Sequence, residues 1–135
     1  MPNNTTKRSI PNDQTTLSAC EVIKMACHNR AFNNGWWCDI NTGEPLVRPV
    51  PEMLCLIHSE VSEALEGFRK DLNDDHLPNR SMLEVELADA VIRIFDMAGG
   101  LNLDIAGALV EKLNYNDNRT DHKLENRKLD GGKKI

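Results

Sequence analysis

Aromatic residues are scarce in this chain, which has two Trp, one Tyr and three Phe among 135 residues. Val, Ile and Thr do not alternate with polar residues, so the pattern gives little reason to expect a β-sheet. Positive charge is also in short supply, because the formal net charge is −5. Proteins that grip a nucleic-acid polymer need clustered positive charge, so we expect no nucleic-acid partner. A single nucleotide stays compatible, because a bound cation can reverse the local sign of the charge.

Long apolar runs and paired cysteines are absent as well. No stretch reaches the ~18 apolar residues of a membrane span, and the first residues lack the pattern of a signal peptide. The four cysteines, at positions 20, 27, 38 and 55, form no Cys-x-x-Cys pair. A structural zinc site is therefore not expected. Together these absences predict reduced thiols, no membrane partner and a cytoplasmic location.

Apolar residues that recur every three or four positions predict an all-α fold, a four-helix bundle within one domain over residues 1–135. Residues 1–14 are polar and predict a flexible arm, residues 16–119 the helical core, and residues 120–135 a charged tail that is draped or disordered. The core of so short a chain is small, so we expect it to be completed by pairing with further copies. The predicted helices cover about 16–33, 51–72, 81–99 and 104–118.

Local signals mark the boundaries of these helices. Ser81 followed by Glu84 is a capping-box pattern, which predicts the start of the third helix. Gly99 and Gly100 predict its end. Residues 35–45 contain two Gly and a Pro, which predict a loop between the first and second helices.

Two pairs of acidic residues carry the strongest chemical signal. Glu60 and Glu63 lie three apart on the second predicted helix, and Glu86 and Asp89 lie three apart on the third. Residues three apart share a helical face, where like charges repel. Both pairs lie beside an apolar stripe, so we expect them where the two helices meet. Four acids at such a seam do not all stay ionised without a cation.

Magnesium is the cation that this acidic set predicts. Mg²⁺ prefers oxygen ligands and commonly bridges carboxylates to phosphate oxygens; Mn²⁺ is expected to substitute for it. A di-iron carboxylate site is the rival, but it needs Glu-x-x-His pairs, which are missing here. The simpler alternative is a pair of solvated acidic faces. A single Glu-x-x-Glu pattern favours that alternative, whereas two on consecutive helices favour a metal site.

The spacing Glu-x-x-Glu, 22 residues, Glu-x-x-Asp resembles the all-α nucleoside triphosphate pyrophosphohydrolases of the MazG type. Dimeric dUTPases and phosphoribosyl-ATP pyrophosphohydrolases share that fold. The resemblance covers roughly residues 16–123, and the loop with Trp36, Trp37 and Asn-Thr-Gly-Glu-Pro is similar to the phage-borne or bacterial subset. The segments that carry it are 57–66 (Ile-His-Ser-Glu-Val-Ser-Glu-Ala-Leu-Glu), 85–90 (Val-Glu-Leu-Ala-Asp-Ala) and 112–119 (Lys-Leu-Asn-Tyr-Asn-Asp-Asn-Arg).

The resemblance implies an enzyme that converts a nucleoside triphosphate to the monophosphate and pyrophosphate, in a homo-oligomer that is a dimer or a tetramer. It implies that Glu60, Glu63, Glu86 and Asp89 hold Mg²⁺. Glu63 and Glu60 are the predicted catalytic residues, and a carboxylate not saturated by metal could orient or deprotonate the attacking water, for which Glu63 is the candidate. For a phage-like member, a purine deoxynucleotide such as dGTP is the substrate we expect, and the host cytoplasm the location. The role implied is control of the nucleotide pool.

The resemblance also implies a phosphate- and sugar-binding set of Lys112, Asn116 and Arg119, predicted to share one face of the last helix. A solvated basic helix end is the alternative reading of that set. Trp36 and Trp37 are candidates to stack on the base, and Asn33 to bond its edge. A lid over the core explains the two Trp equally well.

The remaining ionisable side chains give weaker signals. Arg69, Lys70 and Arg93 could help to bind phosphates but are more typical of surface or salt-bridge residues. His28, His58, His76 and His122 have no ligand spacing, which favours structural or surface roles.

Two other functions stay open at this stage. One is a non-catalytic helical module whose acidic faces bind a basic partner. The other is a hydrolase of a different pyrophosphate: a nucleoside diphosphate, phosphoribosyl-ATP or an alarmone. The metal half of the site would be the same in that hydrolase, and only the base and sugar contacts would differ.

Overall fold

A computed structural model describes residues 6–135, and its regular elements are all helical, which confirms the all-α prediction. Within this range no helix is both long and apolar enough to cross a membrane. The four cysteines are free thiols, and Cys20 is buried while Cys55 is exposed. The elements are α1 (Asp13–Asn33), α2 (Val50–Arg69), α3 (Met82–Gly100), α4 (Ile105–Asp117), a 3-10 turn (Thr120–His122) and α5 (Leu124–Arg127).

The chain divides into two compact units, a division that the sequence pattern did not reveal. Residues 22–103 form the hairpin unit, in which α2 and α3 pack extensively against each other. Residues 6–21 and 104–135 contribute to the terminal unit, which holds α4 and the short helices that follow it. All four predicted acids belong to the hairpin unit.

Local chemistry explains where α2 and α3 begin and end. Pro51 and Glu52 occupy the first turn of α2, where proline needs no amide donor and a negative charge suits the helix dipole. The helix stops at Arg69, before the predicted residue 72, because Asp71 adopts a φ of 51°. At the start of α3 the Ser81 side chain accepts from the Glu84 amide and the Glu84 carboxylate accepts from the Ser81 amide, both at 3.2 Å. The predicted capping box is therefore confirmed.

Small residues and acids fill the buried positions of the α2–α3 hairpin. At Gly67 a Cβ atom would lie 2.7 Å from the Met82 side chain, so the two segments approach too closely there for any side chain but hydrogen. Three of the buried residues carry carboxyl groups, an unusual composition for a core. The buried residues are Met53, Glu60, Ala64 and Gly67 on α2, and Glu86, Ala90, Asp96 and Ala98 on α3.

An apolar stripe remains exposed on each hairpin helix. On α2 the stripe consists of Leu54, Val61, Leu65 and Phe68, which are 46–67% exposed. On α3, Leu87, Val91 and Ile94 are 38–46% exposed. Their spacing of three, four and seven is that of a helix face made for packing. Exposed apolar side chains at this spacing are typical of helices that pack against another helix.

Helix α1 begins three residues earlier than the predicted Thr16. The Asn12 side chain accepts a hydrogen bond from the Thr15 amide at 2.8 Å and so satisfies a free donor of the first turn. The end of the predicted flexible arm, residues 1–14, is therefore helical from Asp13 onward. Residues 1–5 of that arm lie outside the described residues.

The charged tail after residue 119 contains short helical turns where the sequence predicted a draped or disordered segment. Asn126 Nδ2 donates to the Thr120 carbonyl at 2.8 Å, and Lys123 Nζ donates to the Asp117 carbonyl. Arg127 donates to the carbonyls of Lys133 and Lys134 at 3.1 and 3.0 Å. Hydrogen bonds from these side chains thus stabilise the turns of the tail. The amino-acid composition does not reveal that contribution.

Candidate metal centre

Three of the four predicted acids meet between α2 and α3. Glu60 and Glu63 lie one turn apart on α2, and Glu86 faces them from α3. Each offers one carboxylate oxygen, and these oxygens lie within 4.8 Å of one another. Glu60 and Glu86 are buried, whereas Glu63 is exposed. We call these three residues the carboxylate cluster.

Asp89 lies beside the carboxylate cluster but is not part of the group within 4.8 Å. It is half-buried one turn after Glu86 and lines the same groove as Glu60. Burial and the negative charge of Glu60 raise the pKa of Asp89. Its charge is therefore close enough to act on the cluster, while its oxygens are further away than those of the other three.

Burial and crowding set the protonation of the cluster. Removal from water, the hydrogen bond with Glu60 and the nearby charges of Glu63, Glu60 and Asp89 raise the pKa of Glu86 to about 7. Burial alone would also raise the pKa of Glu60, but hydrogen bonds from Arg93 and Glu86 lower it below its ordinary value. These opposite shifts favour the protonated form of Glu86 beside an ionised Glu60. The crowding that raises the pKa of Glu86 also favours the binding of a cation.

The raised pKa of Glu86 predicts a loss of stability of the metal-free protein as the pH rises. Unfolded glutamate ionises near 4.5, whereas folded Glu86 keeps its proton to about pH 7. The contribution of Glu86 to the free energy of unfolding is therefore fully present below the pKa of the unfolded chain. It is lost as the pH rises through the pKa of the folded protein. We expect Glu86→Gln to match the wild-type melting temperature at about pH 4 and to exceed it at about pH 8 in EDTA. Thermal melts of both proteins across this range would refute the prediction if the two curves ran parallel.

Arg93 brings a positive charge to the carboxylate cluster. Its Nε atom donates to Glu60 Oε1 at 2.5 Å, across the α2–α3 seam. Sequence position alone suggested a surface or salt-bridge residue, and a salt bridge is what the structure shows. The partner is a buried carboxylate of the predicted site. Arg69 and Lys70 instead pair with half-buried Glu66 near the end of α2.

A groove of about 590 Å³ in the hairpin unit has Glu60, one member of the carboxylate cluster, in its wall. Three further acids line it: Glu52, Asp89 and Asp96. Arg93 and Arg48 lie along it, and Trp36, which is 66% exposed, contributes an aromatic surface. Carboxylates, guanidinium groups and an indole in one groove provide chemistry for a cation, for phosphate and for a flat ring.

Asp96 anchors the loop that forms part of this groove. Its Oδ1 atom accepts from Trp37 Nε1 at 2.8 Å and lies 2.9 Å from His28 Nδ1, and Arg48 lies 3.5 Å from its Oδ2. The Arg48 guanidinium also lies 5.1 Å from the centre of the Trp37 ring. Asp96 was missed by sequence reasoning. Its position seven residues after Asp89, on the same face of α3, was the available signal.

The two tryptophans have different environments. The Trp37 ring lies against Gly100, where a Cβ would be 2.0 Å from the ring, and makes an edge contact with His28 at 5.4 Å. Trp37 therefore packs as a lid, and His28 has the structural role expected of it. Trp36 is exposed in the groove and remains the candidate for base stacking. Asn33 is exposed at the end of α1 and is not among the residues that line the groove.

The predicted phosphate-binding set lies in the terminal unit. Helix α4 ends at Asp117, so Arg119 lies beyond it in an extended conformation, and the prediction of one shared helical face is wrong. Arg119 forms two hydrogen bonds to Asp121, at 3.0 and 2.6 Å. Lys112 Nζ lies over the Tyr115 ring at 4.7 Å. The buried Asn116 Oδ1 accepts no hydrogen bond from the residues that the structure describes.

Comparison of the chain with protein-family models, curated proteins and solved structures gave no match. The assignment of the site therefore rests on its residues. The donor set fits a hard divalent cation, because all its donors are carboxylate oxygens and their crowding raises the pKa of Glu86 to about 7, so a cation would favour its ionised form.

Proposed function

We propose that this protein is a metal-dependent nucleoside triphosphate pyrophosphohydrolase that forms a (d)NMP and pyrophosphate in the cytoplasm. The observation that carries the proposal is the carboxylate cluster, in which Glu60, Glu63 and Glu86 offer oxygens within 4.8 Å of one another. Two of these acids, Glu60 and Glu86, are buried, and Arg93 is paired with Glu60 across the seam. One positive charge does not balance a group of carboxylates removed from water, so a further cation is favoured. The groove beside them has the size and the mixture of groups that a nucleotide requires.

Glu60, Glu63 and Glu86 would hold Mg²⁺, with Asp89 beside them. When bound, Mg²⁺ neutralises phosphate oxygens and lowers the pKa of a coordinated water. The protein contributes a seam that keeps the buried carboxylates fixed by helix packing. Fixed ligands reduce the reorganisation that the reaction requires.

Glu63 is the residue that we propose orients or deprotonates the attacking water. It is the exposed member of the cluster, so water reaches it while Glu60 and Glu86 are enclosed. A carboxylate in that position acts as an acceptor for a water proton within hydrogen-bond reach. Trp36 would support the base at the open part of the groove. A purine deoxynucleotide such as dGTP is the substrate we propose.

A panel of common NTPs and dNTPs tests the proposal. Each is incubated with Mg²⁺ or Mn²⁺, and monophosphate, pyrophosphate and orthophosphate are measured separately. We expect monophosphate and pyrophosphate in equal amounts, and none in EDTA. Turnover of none of these nucleotides, with melting temperatures unaffected by metal, would overturn the hydrolase proposal in favour of the helical interaction module. Turnover of a nucleoside diphosphate, phosphoribosyl-ATP or an alarmone alone would reassign the substrate.

We also propose that the exposed apolar stripes pack against a second copy, which would complete a four-helix bundle from two α2–α3 hairpins. Leu65→Glu with Phe68→Glu places two charges in the α2 stripe, where both side chains are more than half exposed. Because the changes cost little in the isolated chain but bury charge in an interface, we expect the mass in light scattering to fall to that of a monomer. Glu66→Gln is the control on the same helix. A wild-type monomer, or an unchanged oligomer in the double variant, would contradict the assignment.

A further inference from the structure

The cation nearest to the candidate metal ligands is one of the protein's own side chains. Arg93 lies on α3 one turn after Asp89, and its Nε atom is bound to Glu60 Oε1 at 2.5 Å. The Glu60 side chain is 9% exposed, whereas that of Arg93 is 39% exposed. The guanidinium group therefore reaches from a buried carboxylate to the open groove.

This pairing places Arg93 in competition with any divalent ion. The oxygens of Glu60, Glu63 and Glu86 lie close enough to share one ion, and the guanidinium occupies an oxygen of Glu60. A bound ion would satisfy Glu60 and bring a second positive charge beside Arg93, which would weaken the ion pair. Guanidinium is also a strong, geometrically specific partner for phosphate oxygens. Both Arg93 and Glu60 line the groove in which a polyphosphate would lie.

We propose that Arg93 holds Glu60 in the metal-free protein and moves to a phosphate oxygen when a divalent ion takes its place. The ion and the polyphosphate then bind cooperatively, because each favours the arrangement that the other needs. The inference rests on the proposed function, since it requires the cluster to hold a metal. Arg93 then makes a phosphate contact of the kind that the resemblance assigned to Lys112, Asn116 and Arg119.

Two binding measurements on Arg93→Gln test the inference. Titration of the nucleotide-free protein with Mn²⁺, followed by electron paramagnetic resonance, should show affinity about 5- to 10-fold higher than wild type, because the competing charge is gone. Calorimetry with inorganic tripolyphosphate at saturating Mg²⁺ should show affinity at least about 10-fold lower, because a phosphate contact is lost. Arg93→Lys should fall between the two proteins in both experiments. Arg69→Gln, which removes an exposed α2 ion pair with Glu66, should change neither affinity.

The opposite signs separate this role from a purely structural one. If Arg93 only stiffened the seam, its loss would weaken both ligands, and that result would overturn the inference. Unchanged affinities in Arg93→Gln, with Mn²⁺ binding lost in Glu86→Gln, would overturn the inference and leave the metal site standing. Failure of wild type and Arg93→Gln alike to bind Mn²⁺ would overturn both.

Discussion

Glu86→Gln should lower nucleotide hydrolysis roughly 10³-fold or more at saturating Mg²⁺. The substitution replaces one of the three carboxyl groups whose oxygens lie within 4.8 Å of one another with a neutral amide. The amide cannot ionise, so it would give a bound metal ion no negative charge. The fold should survive, because glutamine matches the shape of the protonated glutamic acid that the metal-free protein contains. Initial rates with the best substrate of the nucleotide panel, together with a thermal melt, measure both effects.

Glu66→Gln is the matched control for this experiment. Glu66 lies on α2 one turn after Glu63, but it is paired with Arg69 and Lys70 away from the cluster. Its rate should stay within about twofold of wild type, since exposed ion pairs contribute little. Hydrolysis by Glu86→Gln at the wild-type rate would remove the cluster from the mechanism.

Asp96→Ala should lower the free energy of unfolding by about 3 kcal/mol. The substitution leaves the Trp37 indole N–H and His28 without their shared acceptor and removes the counter-charge of Arg48. Asp96 is 8% exposed, so water replaces these contacts poorly. The loop that carries Trp37 should loosen, and the groove wall with it.

Denaturant unfolding measures the stability loss, and fluorescence reports on the loop. In a Trp36→Phe background the remaining indole is Trp37, whose emission should shift to longer wavelength in Asp96→Ala as water reaches the ring. Asp75→Ala, at an exposed position of the same unit, should show neither effect. An unshifted spectrum with wild-type stability would show that Asp96 does not anchor the loop.

The periodicity of the sequence was sufficient to predict α2, α3 and the acidic residues between them. The apolar spacing along α2 and the Ser81–Glu84 capping pattern are local signals, and local signals do not depend on tertiary contacts. Acid pairs three apart beside those stripes also predicted that Glu60, Glu63, Glu86 and Asp89 would converge, and the first three do, with Asp89 outside their group. Helical geometry places each pair on one face, and the adjoining apolar stripes indicate that the two faces meet.

The groove depends on contacts that spacing does not encode. Asp96 joins Trp37 and His28 across 59 and 68 positions of the chain, and Arg48 reaches it from a loop. Such partners follow from the path of the chain, so no local pattern predicts them. The role of Arg93 was hidden for the same reason, because its partner Glu60 lies on another helix.

The periodicity of the sequence also did not predict where α4 ends or that the tail contains turns. The sequence placed Arg119 on the last helix, whereas α4 ends at Asp117 and the backbone of Arg119 is extended. Side-chain donors such as Asn126 then support short turns in a segment whose composition favours disorder.

Crystals soaked in Mn²⁺ and examined by anomalous scattering give the most direct test of the central claim. We expect one or more strong peaks between Glu60, Glu63 and Glu86, with carboxylate oxygens at about 2.2 Å from the ion, and the loss of these peaks in Glu86→Gln. Mn²⁺ peaks only elsewhere, with Glu60 still paired to Arg93, would contradict the assignment of the metal site.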